Sequence, residues 1–356
     1  MATVTPPRSM KKEWLFRLVL LGISLVFSLG MAEIMVRVFF PVSDGLANVK
    51  LDGSPITGWF EPGSVYRQVS GEYDAMTTIT STGHRVPGSE RPEVIFVGDS
   101  FTYGFGLNDK ETFASLYCTE MQRACANLGM PGSGTLRQLE RLESFLTKYD
   151  WKPKEVKWFF FGMSTAWSAG NDFVDNYDRY TRDHAPEGEA AGASSAAAVE
   201  AQPALAQAGA PQVGLAERLI GMQAVLLEHS MLLRRVKYHW GPLIKSWIVA
   251  DPGEYRMKVA LTATREAFAK LDALSKREGF EYTIYLLPAV HDILRGTQQQ
   301  TIDTLNSVTP KPVVPVIDVF LDSPKSYSYG LDGHLNPKGA RKVADLLVSQ
   351  DRKKTP

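Results

Sequence analysis

The chain has 356 residues, in which 39 Lys and Arg balance 39 Asp and Glu, so its formal charge is zero. A neutral chain lacks the positive excess of a nucleic-acid binder, which removes nucleic acid as a partner class. Two cysteines, Cys118 and Cys125, are too few for a disulfide scaffold or a four-cysteine zinc site, the six histidines include no His-x-x-x-His pair, and no cofactor is called for.

The chain opens with Arg8, Lys11 and Lys12 ahead of an apolar stretch whose uncharged core, 18–32, is 15 residues long. As a helix that core spans about 22 Å, short of a hydrocarbon layer of about 30 Å. Arg17 can snorkel at one end, and Glu33 can pair with Arg37 one turn on at the other. Basic residues before the apolar run keep the N-terminus inside. The expected layout is therefore a cytoplasmic 1–13, a transmembrane signal-anchor helix at 14–40, and a translocated remainder. In a bacterium that means a single-pass protein of the inner membrane with its main domain periplasmic. The small residues Gly30 and Ala32 suit a cleavage site, which leaves a cleaved signal peptide as the rival reading.

Residues 41–92, rich in Gly, Pro, Ser and Thr with short β-like runs such as 76–79, read as an extended lead-in with a hairpin or two. From 93 to 350 apolar runs of strand length alternate with helical spacing. Strands are expected at 94–97, 126–128, 156–161, 282–287 and 313–319. Helices are expected at 111–121, 136–146, 255–278 and 337–350. That alternation predicts a parallel sheet covered on both faces. A low-complexity insertion of Ala, Gly, Ser, Glu, Gln and Pro occupies 186–212, as loose chain or as an Ala-rich helix. A leucine-rich helical insertion follows at 213–250.

Two stretches carry chemistry. In the first, the apolar strand starting at Val94 runs straight into Gly98-Asp99-Ser100 and then toward a helix. Ligands in open α/β sheets sit at the carboxyl ends of strands, where helix N-terminal amides hold anions. In the second, Asp332-Gly333-His334 precedes Asn336-Pro337, an N-cap and a first helical residue. His334 thus lies on a loop just before a helix, with Asp332 placed to accept its Nδ1 proton.

With those motifs in view, the chain resembles the SGNH (GDSL-type) serine hydrolases, in their membrane-anchored bacterial branch, over roughly 94–348 in four separated blocks. Gly98-Asp99-Ser100 matches the first block, Asn127-Leu-Gly-Met-Pro-Gly-Ser-Gly134 the second, Gly170-Asn171-Asp172-Phe173 the third and Asp332-Gly333-His334 the last. The resemblance implies a three-layer α/β/α sandwich of flavodoxin-like topology with a mainly parallel sheet. It implies Ser100 as nucleophile, His334 as base and Asp332 as its acid. It also implies the Gly132 amide, with Gly129 as runner-up, and the Asn171 side chain as oxyanion donors. Two departures stand out. The commoner spacing is Asp-x-x-His, which would place the acid at Leu331, so Asp318 and Asp322 are held as fallback acids. Residues 162–169 separate the third block from its strand.

The activity implied is cleavage of a carboxylic ester, such as an O-acetyl group on a cell-surface glycan or a lipid ester, with acyl transfer as the near variant. A non-catalytic envelope scaffold that keeps the fold is the alternative. Asp99 is expected to hold the nucleophile turn, His84 to be structural, and Trp167, Trp240 and Trp247 to be packing residues. Cys118 and Cys125 in one helix would lie about 10 Å apart, too far to bridge. A helix ending near Gln122 would let them pair in an oxidising compartment.

Overall fold

A computed structural model of the protein describes residues 10–41, 60–162, 171–184, 230–236, 239 and 253–354. The expected insertion at 186–212 lies outside these residues, as do Trp167, Trp240, Trp247 and most of 213–250. The chain divides into two compact units, residues 1–42 with 209–238 and residues 43–208 with 239–356.

In the first unit, α1 (Met10–Phe39) is one continuous helix. It is long and apolar enough over Glu13–Phe39 to cross a membrane, as a single-pass anchor or a signal sequence does. Nearly all its large apolar side chains are exposed, Val26 at 72% and Phe27 at 69%, so no core among the described residues accounts for them. Glu33 accepts a hydrogen bond from Arg37 at 2.7 Å, the i,i+4 pair the sequence implies. Its carboxylate also accepts from the Ser230 hydroxyl and from the Met231 and Leu232 amides, at the start of a short helical segment at 231–236.

In the second unit, β1 (Val65–Val69) and β2 (Asp74–Thr78) form an antiparallel hairpin. The main sheet has six strands: β3 (Arg85–Gly88), β4 (Val94–Gly98), β5 (Cys125–Asn127), β6 (Glu155–Phe161), β7 (Glu281–Leu287) and β8 (Val314–Pro315), in the order β3-β5-β4-β6-β7-β8. All pairs are parallel except β3–β5. Counted from β4, the parallel strands run 2-1-3-4-5, the flavodoxin-like order.

Every residue of β4 is buried, as a strand covered on both faces requires. Alternate side chains go to opposite faces. Ile95, Val97, Trp158, Phe160 and Ile284 share one core with Leu142 and Phe145 of α4 (Thr135–Tyr149), Phe173 of α5 (Asp172–Asp183) and Phe268 of α6 (Gly253–Glu278). Val94, Phe96, Phe159 and Tyr285 share the other with Phe113 of α3 (Phe113–Met121) and Val343 and Leu347 of α9 (Pro337–Lys354). The result is a three-layer α/β/α sandwich.

Local chemistry sets the element ends. Asn336 Oδ1 accepts the Lys338 and Gly339 amides, capping α9 with Pro337 in its first turn. Gln122 takes a left-handed conformation (φ 52°) and stops α3, so the chain turns back at once. That brings Cys118 and Cys125 to a Cα separation of 6.2 Å, and they form a disulfide.

Two expectations need correction. The strand expected over 313–319 pairs with β7 only at Val314 and Pro315. Pro315 has no amide to extend the ladder, and the chain turns into a 3₁₀ helix at Ile317–Phe320. The lead-in over 41–92 is more than packing, because its segment β3 is a strand of the main sheet. The short helices α7 (Val290–Arg295) and α8 (Gln298–Asn306), which the spacing did not indicate, fill the β7–β8 connection.

Candidate active site

In this strand order the direction of winding reverses between β4 and β6, and ligand crevices open there, beyond the carboxyl ends of the strands. β4 ends at Gly98, where an added Cβ would come within 2.7 Å of the Phe159 carbonyl oxygen and 2.2 Å of Thr102 Oγ1. Only glycine lets the strand pass so close to its neighbour. Asp99 then caps α2 (Ser100–Tyr103), its Oδ1 accepting the Phe101 amide at 2.9 Å. Ser100 is therefore the first residue of a helix, and its own amide is one that the helix leaves unused. Arg85, wholly buried, donates to the carbonyls of Tyr103 (2.8 Å), Gly104 and Leu107, and so fixes the far end of α2.

Ser100 and His334, 234 positions apart, meet: the serine hydroxyl donates to His334 Nε2 at 2.7 Å. On the other side of the ring, Nδ1–H donates to Asp332 Oδ1 at 2.5 Å. The rings of Phe101 and Phe105 flank the imidazole with centroids 4.8 and 4.9 Å away. Gly333 takes φ +88°, a left-handed turn that folds the Asp332 carboxylate back onto the His334 ring and onto the His334 amide at 3.2 Å. The short Asp-x-His spacing works through that turn. Of the fallback acids, Asp322 is bonded to Tyr327 (2.7 Å) and Lys342 (3.4 Å), and Asp318 lies in the 3₁₀ helix; neither takes the His334 bond.

Burial alone would raise the Asp332 carboxyl. The His334 charge and the hydrogen bonds from His334 and Tyr73 outweigh it and hold Asp332 below its ordinary value of 3.8. Burial alone would lower His334, and the charge and hydrogen bond of Asp332 outweigh that and raise it above 6.5. Each member of the pair therefore favours the charged form of the other.

The other two predicted residues sit on the loops after the strands that flank β4. After β5, Gly129 packs so close to α2 that a Cβ would lie 2.2 Å from the Tyr103 amide nitrogen. Gly132 lies in the turn closed by the Ser133 amide on the Met130 carbonyl, with φ +70° and open space where a Cβ would be. Gly129 thus serves packing, while Gly132 keeps an open approach to its backbone. After β6, the buried Asn171 caps α5, its Oδ1 accepting the Phe173 amide at 3.1 Å. The other end of the carboxamide is an –NH2 group, a donor by its chemistry. The two loops are tied together: Gly134 N–H donates to Asp175 Oδ2 (2.6 Å), Leu136 N–H to Asn176 Oδ1 (3.2 Å), and Gln138 Nε2 to Asp172 Oδ1 (3.4 Å). Gly170 of the third block lies outside the described residues.

Sequence reasoning missed two features. Asp99 and Asp172 are both buried, and an Oδ2 of each lacks a hydrogen-bond partner among the described residues. Burial pushes Asp99 up to about 7. Burial first, and the Asp99 charge second, push Asp172 well above the usual carboxylate range. The second feature is the turn of the β1–β2 hairpin, whose Glu72 and Tyr73 reach the Asp332 loop. No spacing in the sequence signals either.

No family model and no curated protein matches the chain. Among solved structures, an acetyl xylan esterase from the rumen bacterium Butyrivibrio proteoclasticus is 11% identical with a TM-score of 0.34; the match covers 76% of this chain and 65% of that one, just under two thirds. A carbohydrate esterase family 2 enzyme with a carbohydrate binding domain, from Corynascus thermopiles (Myceliophthora fergusii), is 12% identical with a TM-score of 0.31, covering 77% of this chain and 69% of that one. The fold rests instead on the strand order above, and the chemistry on the side chains.

Proposed function

We propose that the protein is a serine esterase of SGNH type, with Ser100 as nucleophile, His334 as general base and acid, and Asp332 as the group that orients the imidazole. The observation that carries this reading is the hydrogen-bonded chain from Ser100 Oγ through both nitrogens of His334 to Asp332. A serine hydroxyl is a weak nucleophile until a base removes its proton. His334 Nε2 takes that proton as Ser100 Oγ attacks the ester carbonyl, and Asp332 stabilises the imidazolium that forms. The Ser100 and Gly132 amides and the Asn171 –NH2 group are the donors assigned to the oxyanion. Collapse of the intermediate expels the alcohol, which takes the proton from His334. Water, activated by the same imidazole, then releases the acid. A sugar hydroxyl in place of water would make the reaction an acyl transfer.

The substrate assigned is a carboxylic ester, with an O-acetyl group on a cell-surface glycan as the leading case, following the sequence resemblance. The membrane is the second partner, through α1, with the catalytic unit on the outer face of a bacterial inner membrane. The Cys118–Cys125 bridge supports that side, because disulfides persist in oxidising compartments.

The test is turnover of p-nitrophenyl acetate by the full chain in detergent micelles, beside Ser100→Ala. The expected result is hydrolysis that the substitution reduces by at least about 10³-fold. Equal rates for the two proteins would remove Ser100 from the chemistry. An inactive wild-type chain that also resists a fluorophosphonate would favour the scaffold alternative.

A further inference from the structure

The β1–β2 hairpin stands outside the main sheet, yet its side chains touch both halves of the site. Gln68, in β1 and buried, accepts the Gly106 amide at 2.9 Å, just beyond the nucleophile helix α2. At the hairpin turn, the Glu72 carboxylate accepts the Leu331 amide (3.0 and 3.1 Å) and the Asp332 amide (3.0 Å). Tyr73 donates its hydroxyl to Asp332 Oδ2 at 3.3 Å. The Tyr73 ring lies against Phe105 and Tyr329, and Tyr329 donates in turn to the Gly106 carbonyl at 2.9 Å. A Cβ on Gly106 would sit 2.9 Å from the Tyr73 ring, so the loop after α2 is pressed onto the hairpin turn.

From this arrangement we infer that Glu72 and Tyr73 are positioning residues that hold Asp332, and through it His334, in the orientation the esterase reading requires. The physical need is specific to this chain. Asp332 is only two residues from His334, in a loop turned by a glycine, and its local hydrogen bonds, from the His334 amide and ring, both fall on Oδ1. A carboxylate with one oxygen on His334 needs its second oxygen and its own backbone fixed. Tyr73 supplies the first contact and Glu72 the second. Because Gln68 grips the Gly106 loop from the same hairpin, one rigid unit sets the spacing between the nucleophile segment and the acid–base segment. The titratable groups that face His334 are Asp332 and Asp99, and those around Asp332 include Glu72 and the phenols of Tyr73 and Tyr329.

The inference rests on the esterase reading for its effect on rate but not for its effect on the imidazole, and the test uses both. His334 is titrated by NMR in the full chain, wild type against Glu72→Ala, Glu72→Gln and Tyr73→Phe, with His334→Gln to assign the signal. The same proteins are assayed with p-nitrophenyl acetate across pH. Losing the hold on Asp332 weakens its pull on the imidazolium. In Glu72→Ala the His334 titration and the acid limb of kcat/KM therefore move to lower pH, and kcat falls about 10- to 100-fold with KM little changed. Glu72→Gln, whose amide oxygen still accepts from both backbone N–H groups, recovers most of the loss. Tyr73→Phe, which removes one hydroxyl and leaves the fold least disturbed, shows the same direction at smaller size and decides the matter if Glu72→Ala does not fold. An unmoved His334 titration in both Glu72→Ala and Tyr73→Phe would overturn the inference. A wild-type chain without turnover would sink the esterase reading, while the titration would still decide the role of the hairpin.

Discussion

The two ends of the parallel sheet both bury charge, and they do it in opposite ways. At the amino end, Lys157 on β6 is fully buried between Glu155 (2.7 Å) and Asp351 (2.9 Å), with Arg123 bonded to Glu155 at 3.1 Å and Tyr117 bonded to Asp351. Opposite charges face one another, and the network fastens α9 to the sheet. At the carboxyl end, Asp99 and Asp172 are two buried carboxyls with no Lys or Arg ion pair among the described residues, each pushed by burial toward its uncharged form. The first arrangement is scaffold. The second costs stability wherever both carboxyls ionise, and its members are chain neighbours of Ser100 and Asn171, in the kind of setting where unusual protonation collects.

The contrast can be broken by exchanging rate effects for stability effects at the two ends. The largest expected change is Ser100→Ala, with at least about 10³-fold lower kcat/KM and an unchanged melting temperature. Next is Asn171→Asp, which keeps the oxygen that caps α5 but removes the amide donor; kcat should fall about 10²–10³-fold, measured with p-nitrophenyl acetate. At the opposite end, Lys157→Met leaves Asp351 with less compensation inside the protein. It should cost about 3 kcal/mol in urea unfolding, with kcat per folded molecule unchanged. A loss of rate without loss of stability there would erase the distinction between the two ends.

Smaller effects sharpen it. His334 must be neutral to accept the serine proton, and its affinity for protons is raised above the ordinary 6.5, so the acid limb of kcat/KM should lie above that pH. Asp99 is uncharged until about pH 7, against 3.8 in the unfolded chain, so its stabilising share is present below 3.8 and is lost as pH rises through 7. Asp99→Asn should therefore flatten the decline in melting temperature between pH 4 and pH 8, a modest change readable by calorimetry.

Much of this was legible in the residue order, for a reason that differs between regions. The Ser100 segment is written locally: an apolar strand, a glycine that must pass close to β6, an aspartate that caps, and then the serine. The Asp332-Gly333-His334 loop is likewise a local turn before a capped helix. β8 was overread because the apolar run continues past Pro315, where the ladder cannot. β3 escaped notice because Arg-Val-Pro-Gly resembles a turn more than a strand, and it survives only at the sheet edge. Tyr73 could not have been found at all, since its bond to Asp332 spans 259 positions and depends on where the completed sheet delivers the hairpin. The pairing of Asp99 with Asp172 is hidden for the same reason: each looks like a helix-start aspartate in its own neighbourhood.

The bridge between Cys118 and Cys125 has a practical corollary. It clips the last turn of α3 to the first residue of β5, the strand that leads to Gly132. Material matured where glutathione dominates would carry two thiols at that corner, and a preparation of mixed provenance would contain two populations differing by one covalent tie. Counting titratable sulfhydryls before any assay separates them, and it makes the host cell's redox state an experimental variable for this molecule.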